Sequence, residues 1–411
     1  MITLLAASAA ILTTGLSSCD KPEDDSQNNP YKALTLTTKS AEFVEKGNTF
    51  TFNFIDRINA STKTDYVISP LSMQFLLGMI LDGARGATAD EICAVLGYGQ
   101  GEVAAVNEYC LSMLNQLPTL DKKTRLTIAN AIFVDDGWPL LDSYKTMVGQ
   151  YYQAKVSNLD FADGAGSLKV INGWCSDHTN GLIPKVLDEV SSDMLAYLLN
   201  AMYFKSQWKN KFNKNVTAQE NFQNEAGATQ GKVMMMKQNK TYGYNDNDIF
   251  QVVRLPYGNG AFEMYVFLPT GKNKLADVCG ALKKSDWSQL RHKLVSCEVD
   301  LWLPRFETKF HINLNELLSD MGMPLAFDRT LADFKAMSEY ALCLSFVNQD
   351  AVIKVDEEGA EAAVVSSAGM EKATSVGPGD HVVFHANHPF LYLITETSSG
   401  AVLFAGRYSG N

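Results

Sequence analysis

Residues able to do chemistry in this chain are few, and their spacing is uninformative for catalysis. Six histidines include no HExxH pair, and no other metal-ligand spacing occurs. There is no GxSxG nucleophile elbow, no P-loop and no GxGxxG turn. His381, His385 and His388 are close in sequence, but strand alternation does not aim all three one way. They read as a solvated loop and the start of a strand rather than a metal site. Asp135-Asp136 and Glu357-Glu358 are adjacent carboxylates rather than facing ones, as suits turns and charged hinges. The expectation is a protein that is not an enzyme and needs no metal or cofactor.

One stretch looks built to have chemistry done to it. Lys354-Val355-Asp356-Glu357-Glu358-Gly359-Ala360-Glu361-Ala362-Ala363-Val364-Val365-Ser366-Ser367-Ala368-Gly369 begins with an acidic cluster, turns at one glycine, and continues in small residues with no charge after Glu361. With period two, one face carries Ala360, Ala362, Val364, Ser366 and Ala368, all small enough for a tight slot between strands. The other carries Glu361, Ala363, Val365 and Ser367, which tolerate partial exposure. No proline interrupts the ladder donors. Composition alone favours a flexible Ala/Ser linker or an alanine-favoured surface helix over an inserting strand.

The elements around it are legible from periodicity. Residues 40–58 carry a helical apolar stripe through Phe43, Val44, Phe50, Phe54 and Ile58. Ser69 caps a second helix with Pro70 at its first position, and that helix, to about Gly83, is apolar almost all round, as a core helix is. Thr88-Ala89-Asp90-Glu91 reads as a capping box with Gly97 as the stop. Residues 167–180 read as a helix ended by Gly181. Strands are expected at 126–134, 195–204, 251–256, 261–268, 298–306 and 346–355, and a hairpin joins 389–396 to 401–408. Helices come mostly first and strands later, so the class is α+β.

Six ordered motifs raise the reading from composition to resemblance. The loop segment resembles the hinge of the serpins, protease inhibitors whose reactive loop inserts into their own central sheet. Asp65-Tyr66-Val67-Ile68-Ser69-Pro70-Leu71-Ser72, Ala129-Asn130-Ala131-Ile132-Phe133, Leu199-Asn200-Ala201-Met202-Tyr203-Phe204-Lys205-Ser206-Gln207-Trp208 and Leu301-Trp302-Leu303-Pro304-Arg305-Phe306 are similar to family segments. So is the ending His388-Pro389-Phe390-Leu391-Tyr392-Leu393-Ile394 with Val402-Leu403-Phe404-Ala405-Gly406-Arg407. The resemblance runs from about residue 33 to the C-terminus. It implies one serpin domain over 33–411, with a helical N-terminal part, three β-sheets and an exposed reactive centre loop at about 359–381. It also implies an inhibitor that traps serine, and by the same route cysteine, endopeptidases as an acyl-enzyme. The alternative is a non-inhibitory serpin acting as a binding or scaffold protein.

The resemblance also assigns residues. Glu357, Glu358, Gly359, Ala360, Glu361, Ala362, Ala363 and Val364 form the hinge. Ser69, Ser72 and Asn172 belong to the polar shutter beneath the sheet, and Trp208 to the breach where the hinge first inserts. Gln349 stands where the family usually has a shutter histidine; an amide donates and accepts as neutral imidazole does but does not titrate. Counting from Gly359 puts the reactive bond at Ala373–Thr374, with Lys372–Ala373 one residue earlier. Counting back from Asn387-His388-Pro389-Phe390 gives a position nearer Pro378.

The 411 residues carry a net charge of −11 with no Lys/Arg run, which excludes nucleic acid or anionic lipid as an obvious partner. Lys205, Lys209, Lys211 and Lys214 form only a modest basic cluster. Residues 2–18 are apolar but too short to span a membrane stably. Leu16-Ser17-Ser18-Cys19 resembles a bacterial lipobox, although no basic residue precedes Leu4. The expectation is a signal peptide over 1–18, lipid on Cys19 and a disordered polar tether over 19–32. Lys21 followed by acidic residues resembles a surface-export tag of some Gram-negative lipoproteins; a plain spacer is the alternative. The expected protein is thus a monomer touching the membrane only through Cys19, on the outer surface of the cell envelope. The other six cysteines show no paired short spacing and read as small core residues rather than disulfides.

Overall fold

The computed structural model describes residues 28–360 and 381–410. The chain opens with helix α1 (Thr38–Ser61), strand β1 (Tyr66–Ile68) and helices α2 (Pro70–Gly83), α3 (Gly86–Leu96) and α4 (Val103–Gln116). Then come β2 (Arg125–Asp135), α5 (Asp142–Tyr152), β3 (Lys155–Leu159), α6 (Gly164–His178) and β4 (Ala196–Gln207). Strands dominate thereafter: β5 (Ala218–Gln223), β6 (Thr229–Asp246), β7 (Phe250–Pro256) and β8 (Phe262–Pro269). Helices α7 (Leu275–Lys284) and α8 (Trp287–His292) precede β9 (Val295–Pro304) and β10 (Phe306–Asn313). Helix α9 (Asn315–Met321) is followed by β11 (Asn348–Asp356), β12 (Gly359–Ala360), β13 (His381–His385), β14 (Phe390–Glu396) and β15 (Val402–Tyr408).

A six-stranded sheet runs β10-β11-β12-β4-β2-β3. The remaining strands form one hydrogen-bonded path because β6 is long enough to serve two leaves. Its residues Thr229–Met235 pair with β5 and Met235–Tyr244 with β9, which pairs with β13; its last residues, Gly243–Asp246, pair on the other side with β7, which leads through β8, β14 and β15 to β1. The family's three sheets are therefore present, two of them joined through β6. Mixed helix and sheet in this arrangement confirms the α+β class.

Helix α2 begins as its sequence dictates. The Ser69 side chain accepts from Ser72 N, Pro70 fills the first turn, and every residue of the helix except Asp82 is buried. It packs between β4 of the six-stranded sheet and β15 of the other, so a polar group on its first turn can reach both. A second, smaller core lies on the far face of the six-stranded sheet, where Phe133 and Tyr197 meet Ile171, Trp174 and Cys175 of α6.

Several expectations needed correction. Thr88 and Glu91 do not cap α3, whose N-cap is Arg85; Thr88 Oγ1 accepts from Asp333 N and Glu91 Oε2 from Leu325 N, so both were taken for tertiary contacts. Gly97 does stop that helix, at φ +73°. The strand expected at 298–306 is two, because the chain leaves one sheet at Pro304 and joins the other at Phe306. Residues 28–32 of the expected disordered tether are fastened to the body: Asn29 is buried and hydrogen-bonded to Asp121. The six cysteines among the described residues form no disulfide, and five of them are buried. No helix among the described residues is long and apolar enough to cross a membrane.

Candidate functional site: the hinge and latch of the six-stranded sheet

Asp356 ends β11, Glu357 and Glu358 make the turn, and Gly359-Ala360 return as β12. Asp356 Oδ1 accepts from Glu358 N at 2.9 Å, a local bond that tightens the reversal. Strand β12 is antiparallel to both neighbours: Ala360 lies opposite Val355 on β11 and Ser206 on β4, and Gly359 opposite Asp356 and Gln207. The step from Gly359 to Ala360 therefore points down between β11 and β4. Among the described residues those two strands each pair with β12 and not with one another.

Only glycine fits at 359. Its φ is +147°, and a Cβ there would overlap Ser206 O and stand 2.6 Å from Gln207 Cα and 2.8 Å from Trp208 N. Trp208 grips the turn with its backbone and its ring. Its backbone N donates to Glu358 O at 2.8 Å and its Nε1 donates to Asp356 O at 2.8 Å. The indole stacks on Tyr257 at 4.3 Å and is buried. Phe212 N donates to Glu357 O at 3.0 Å. Glu358 is paired with Lys211 at 2.8 Å and Lys214 at 3.0 Å, and the hydrogen bond from Lys211 leads in holding its carboxyl below the usual range. Glu357, almost wholly buried, has Arg305 at 3.8 Å.

About 20 Å further down, six residues along each strand, lies the polar latch. Gln349 on β11 forms two bonds with the Ser69 backbone: Ser69 N donates to Oε1 at 3.2 Å and Nε2 donates to Ser69 O at 2.9 Å. Ser69 Oγ donates to Leu403 O at 2.8 Å on the other sheet. Ser72 Oγ hydrogen-bonds to Asn200 Oδ1, Asn200 Nδ2 donates to Asn130 Oδ1 at 2.7 Å, and Asn130 Nδ2 donates to Tyr152 O at 2.7 Å. Helix α2 thus holds β11 through Ser69 and β4 through Ser72, one strand with each serine. Buried polar groups in such a chain need every partner, which makes the latch cooperative.

The structure brings Glu357, Glu358, Gly359, Ala360 and Trp208 together at one end of the sheet, and Ser69, Ser72 and Gln349 beneath it. It does not bring Asn172 there. That side chain sits on α6, accepts from Val186 N and Leu187 N at 2.8 and 3.0 Å, and donates to Leu187 O at 2.9 Å, fastening the loop that follows the helix. The latch asparagines are Asn200 and Asn130. An asparagine inside an otherwise apolar strand was the available signal, since it must be buried with a partner. The ion pairs of Lys211 and Lys214 with Glu358 were also missed, because they join residues far apart in sequence. Glu361, Ala362, Ala363, Val364, Lys372, Ala373, Thr374 and Cys19 lie outside the described residues.

Of the histidines, His385 Nε2 lies 2.9 Å from Asp300 and His388 Nε2 lies 3.0 Å from Pro269 O. Burial lowers the His388 pKa. No cluster of three potential metal ligands occurs among the described residues.

A central sheet with a strand started at one end and a side-chain latch further down defines the class of molecule. The family model described as Serpin (serine protease inhibitor) matches residues 45–410. Iripin-3 of Ixodes ricinus is 34% identical over 82% of this chain and 87% of its own length. Serpin B4 of Homo sapiens is 32% identical over 89% and 98%. The solved structure described as Cleaved Serpin 42Da superposes with a TM-score of 0.80 at 25% identity, covering 90% of this chain and 99% of that one. This chain belongs to the serpin family, whose members are mostly protease inhibitors that bind their target proteases rather than catalysts.

Proposed function

We propose that this chain inhibits serine endopeptidases, and cysteine endopeptidases by the same chemistry, through cleavage and insertion of its loop. The protease nucleophile attacks the carbonyl of Ala373, the Ala373–Thr374 amide breaks, and Thr374 leaves as a protonated amine. The protease then remains joined to Ala373 as an ester or thioester. Lys372–Ala373 is the alternative bond; alanine before the cut suits an elastase-like pocket and lysine a trypsin-like one.

The observation that carries this reading is the seat of Gly359-Ala360 between β11 and β4, with the chain directed into the path that separates them. Continuing that register one residue at a time brings Ala362, Val364, Ser366 and Ala368 onto the face of buried Ala360. Ser366 then comes level with Gln349 and Asn200, so the inserting strand meets the latch with a small polar residue. Met370 comes level with Ala196, the far end of β4. The captured protease is thereby carried to the opposite pole before deacylation finishes, driven by strain held in the uncleaved fold.

The deciding experiment mixes the protein with elastase-like and trypsin-like proteases and resolves the products on an SDS gel. A covalent adduct supports trapping. Cleavage with protease activity intact across the panel contradicts it and leaves a non-inhibitory serpin, a binding or scaffold protein.

We infer further that residues 1–18 are a signal peptide and that Cys19 carries lipid, placing a monomeric domain over 33–411 on the outer surface of a bacterial envelope. The supporting pattern is Leu16-Ser17-Ser18-Cys19. Cys19→Ala should abolish lipid labelling and release the protein from the envelope fraction; unchanged labelling would contradict the assignment.

A further inference from the structure

Residues 29–37 precede α1 outside any helix or strand, yet much of this stretch is tied down. Lys122 Nζ donates to Asn28 O at 2.8 Å, Asn259 Nδ2 to Pro30 O at 3.0 Å, and Lys32 Nζ to Thr119 Oγ1 at 3.0 Å. Leu34 N donates to Ser398 Oγ at 3.0 Å, and Thr35 exchanges two bonds with the Gln116 amide. The closest fastening is at Asn29. Its Nδ2 donates to Asp121 Oδ1 at 2.6 Å and its Oδ1 accepts from Lys122 N at 2.9 Å.

Asp121 is 2% exposed. Besides Asn29 it accepts from Lys123 N at 2.9 Å, from Thr124 Oγ1 at 2.7 Å and from Asn259 N at 3.4 Å. Thr124 Oγ1 lies 2.6 Å from Ser206 Oγ; since Thr124 donates to Asp121, Ser206 donates to Thr124. Ser206 is wholly buried and is the β4 residue opposite Ala360. A chain of four side chains, Asn29–Asp121–Thr124–Ser206, therefore joins the N-terminal strap to the seat of the hinge. A second route runs through Gly258. A Cβ there would overlap the Asp121 carboxylate, and Gly258 N donates to Gln207 O, opposite Gly359, at 2.8 Å.

We propose that the strap of residues 28–35 is a brake on the hinge. It completes the donor set of a buried carboxylate, and that carboxylate holds the upper end of β4 by both routes. Withdrawing Asn29 leaves Asp121 short of a donor, loosens Thr124, Ser206 and Gln207, and lets the loop fill the sheet without being cut. The inference rests on the insertion reading above.

The test uses the full chain and follows the loop's susceptibility to added protease during warm incubation, with adduct yield measured at the start. Asn29→Ala and Thr124→Val should start like the parent but lose loop susceptibility about tenfold faster, the factor that one hydrogen bond to a buried carboxylate carries. Lys32→Ala, whose strap bond goes to Thr119 rather than Asp121, should match the parent. Decay of Asn29→Ala and Thr124→Val at the parent's rate would overturn the brake, as would an equal acceleration by Lys32→Ala. The two proposals fail separately. A parent that is cleaved without forming adducts removes inhibition and leaves the brake measurable. Adducts with unchanged decay in the variants remove the brake alone.

Discussion

Replacing Gly359 by alanine should convert inhibitor into substrate. A single methyl at this position meets two penalties at once. The backbone sits at φ +147°, which costs a non-glycine residue about 1–3 kcal/mol. The Cβ would also overlap Ser206 O, a backbone atom of β4 next to Lys205, where the ladder to β2 ends, so relief requires shifting a strand and costs about 1–3 kcal/mol more. Taking about 3 kcal/mol in total, alanine should unseat β12 in the uncut fold, and seating it after cleavage then slows insertion about a hundredfold. Trapping depends on insertion outrunning hydrolysis of the acyl-enzyme. A parent in which insertion wins tenfold would then yield about ten cleaved molecules per adduct as Gly359→Ala. The uncut loop beyond residue 360 is untouched by the change, so cleavage itself should proceed at the parent's rate. The assay is the ratio of adduct to cleaved product on an SDS gel at fixed protease. An unchanged ratio would refute the argument that β12 must seat before the rest of the loop follows.

Other perturbations probe the same machinery. Glu358→Gln removes the pairs with Lys211 and Lys214 and should lower thermal stability by about 1 kcal/mol at pH 7, since the carboxylate is only partly shielded. Because the folded pKa of Glu358 is depressed, its contribution is present above the unfolded value and is lost as pH falls through the folded one. The parent–variant difference should therefore shrink in acid; a difference independent of pH would contradict the pairing. If the loop inserts as proposed, Ala362→Arg would bring a guanidinium onto the face of buried Ala360 and should leave cleavage intact while abolishing adducts, whereas Glu361→Arg, on the proposed outer face, should be far milder; the reverse order in an adduct gel would mean the strand phase is wrong. Asp82, the one residue of α2 that is not buried outright, has its pKa raised to about 6, chiefly by desolvation. A raised carboxyl pKa means that the folded state binds the proton more tightly, so stability falls as pH rises from about 4 to 6. Asp82→Asn should remove that slope and gain about 3 kcal/mol above pH 6; a thermal melt series retaining the slope would contradict the assignment.

The helix from Ser69 to Gly83 could be read from the chain because cap, proline and apolar run all point the same way. The turn at Gly359 was legible for a similar reason, since an acidic pair, a glycine and small alternating residues form a local pattern. Strand β6 was not. Its burial runs from exposed through half-buried to buried and back, because its two ends serve different leaves, and no single period survives. Thr88 and Glu91 spelled a capping box but were taken by Asp333 and Leu325, partners more than two hundred residues away. Asn172 and Asn200 show the same limit within the site. Both are polar residues in apolar surroundings, and only the fold shows that one fastens a loop while the other bridges Ser72 to Asn130.

The central claim is that the cut loop becomes a strand between β4 and β11. It is tested most directly by the distance between a label at exposed Lys209, beside the hinge, and one at Lys372. Twelve residues inserted beyond Ala360 at about 3.3 Å each should carry the second label roughly 40 Å down the sheet after cleavage. A label that stays near the hinge end in the cleaved protein, with no rise in thermal stability, would contradict the account.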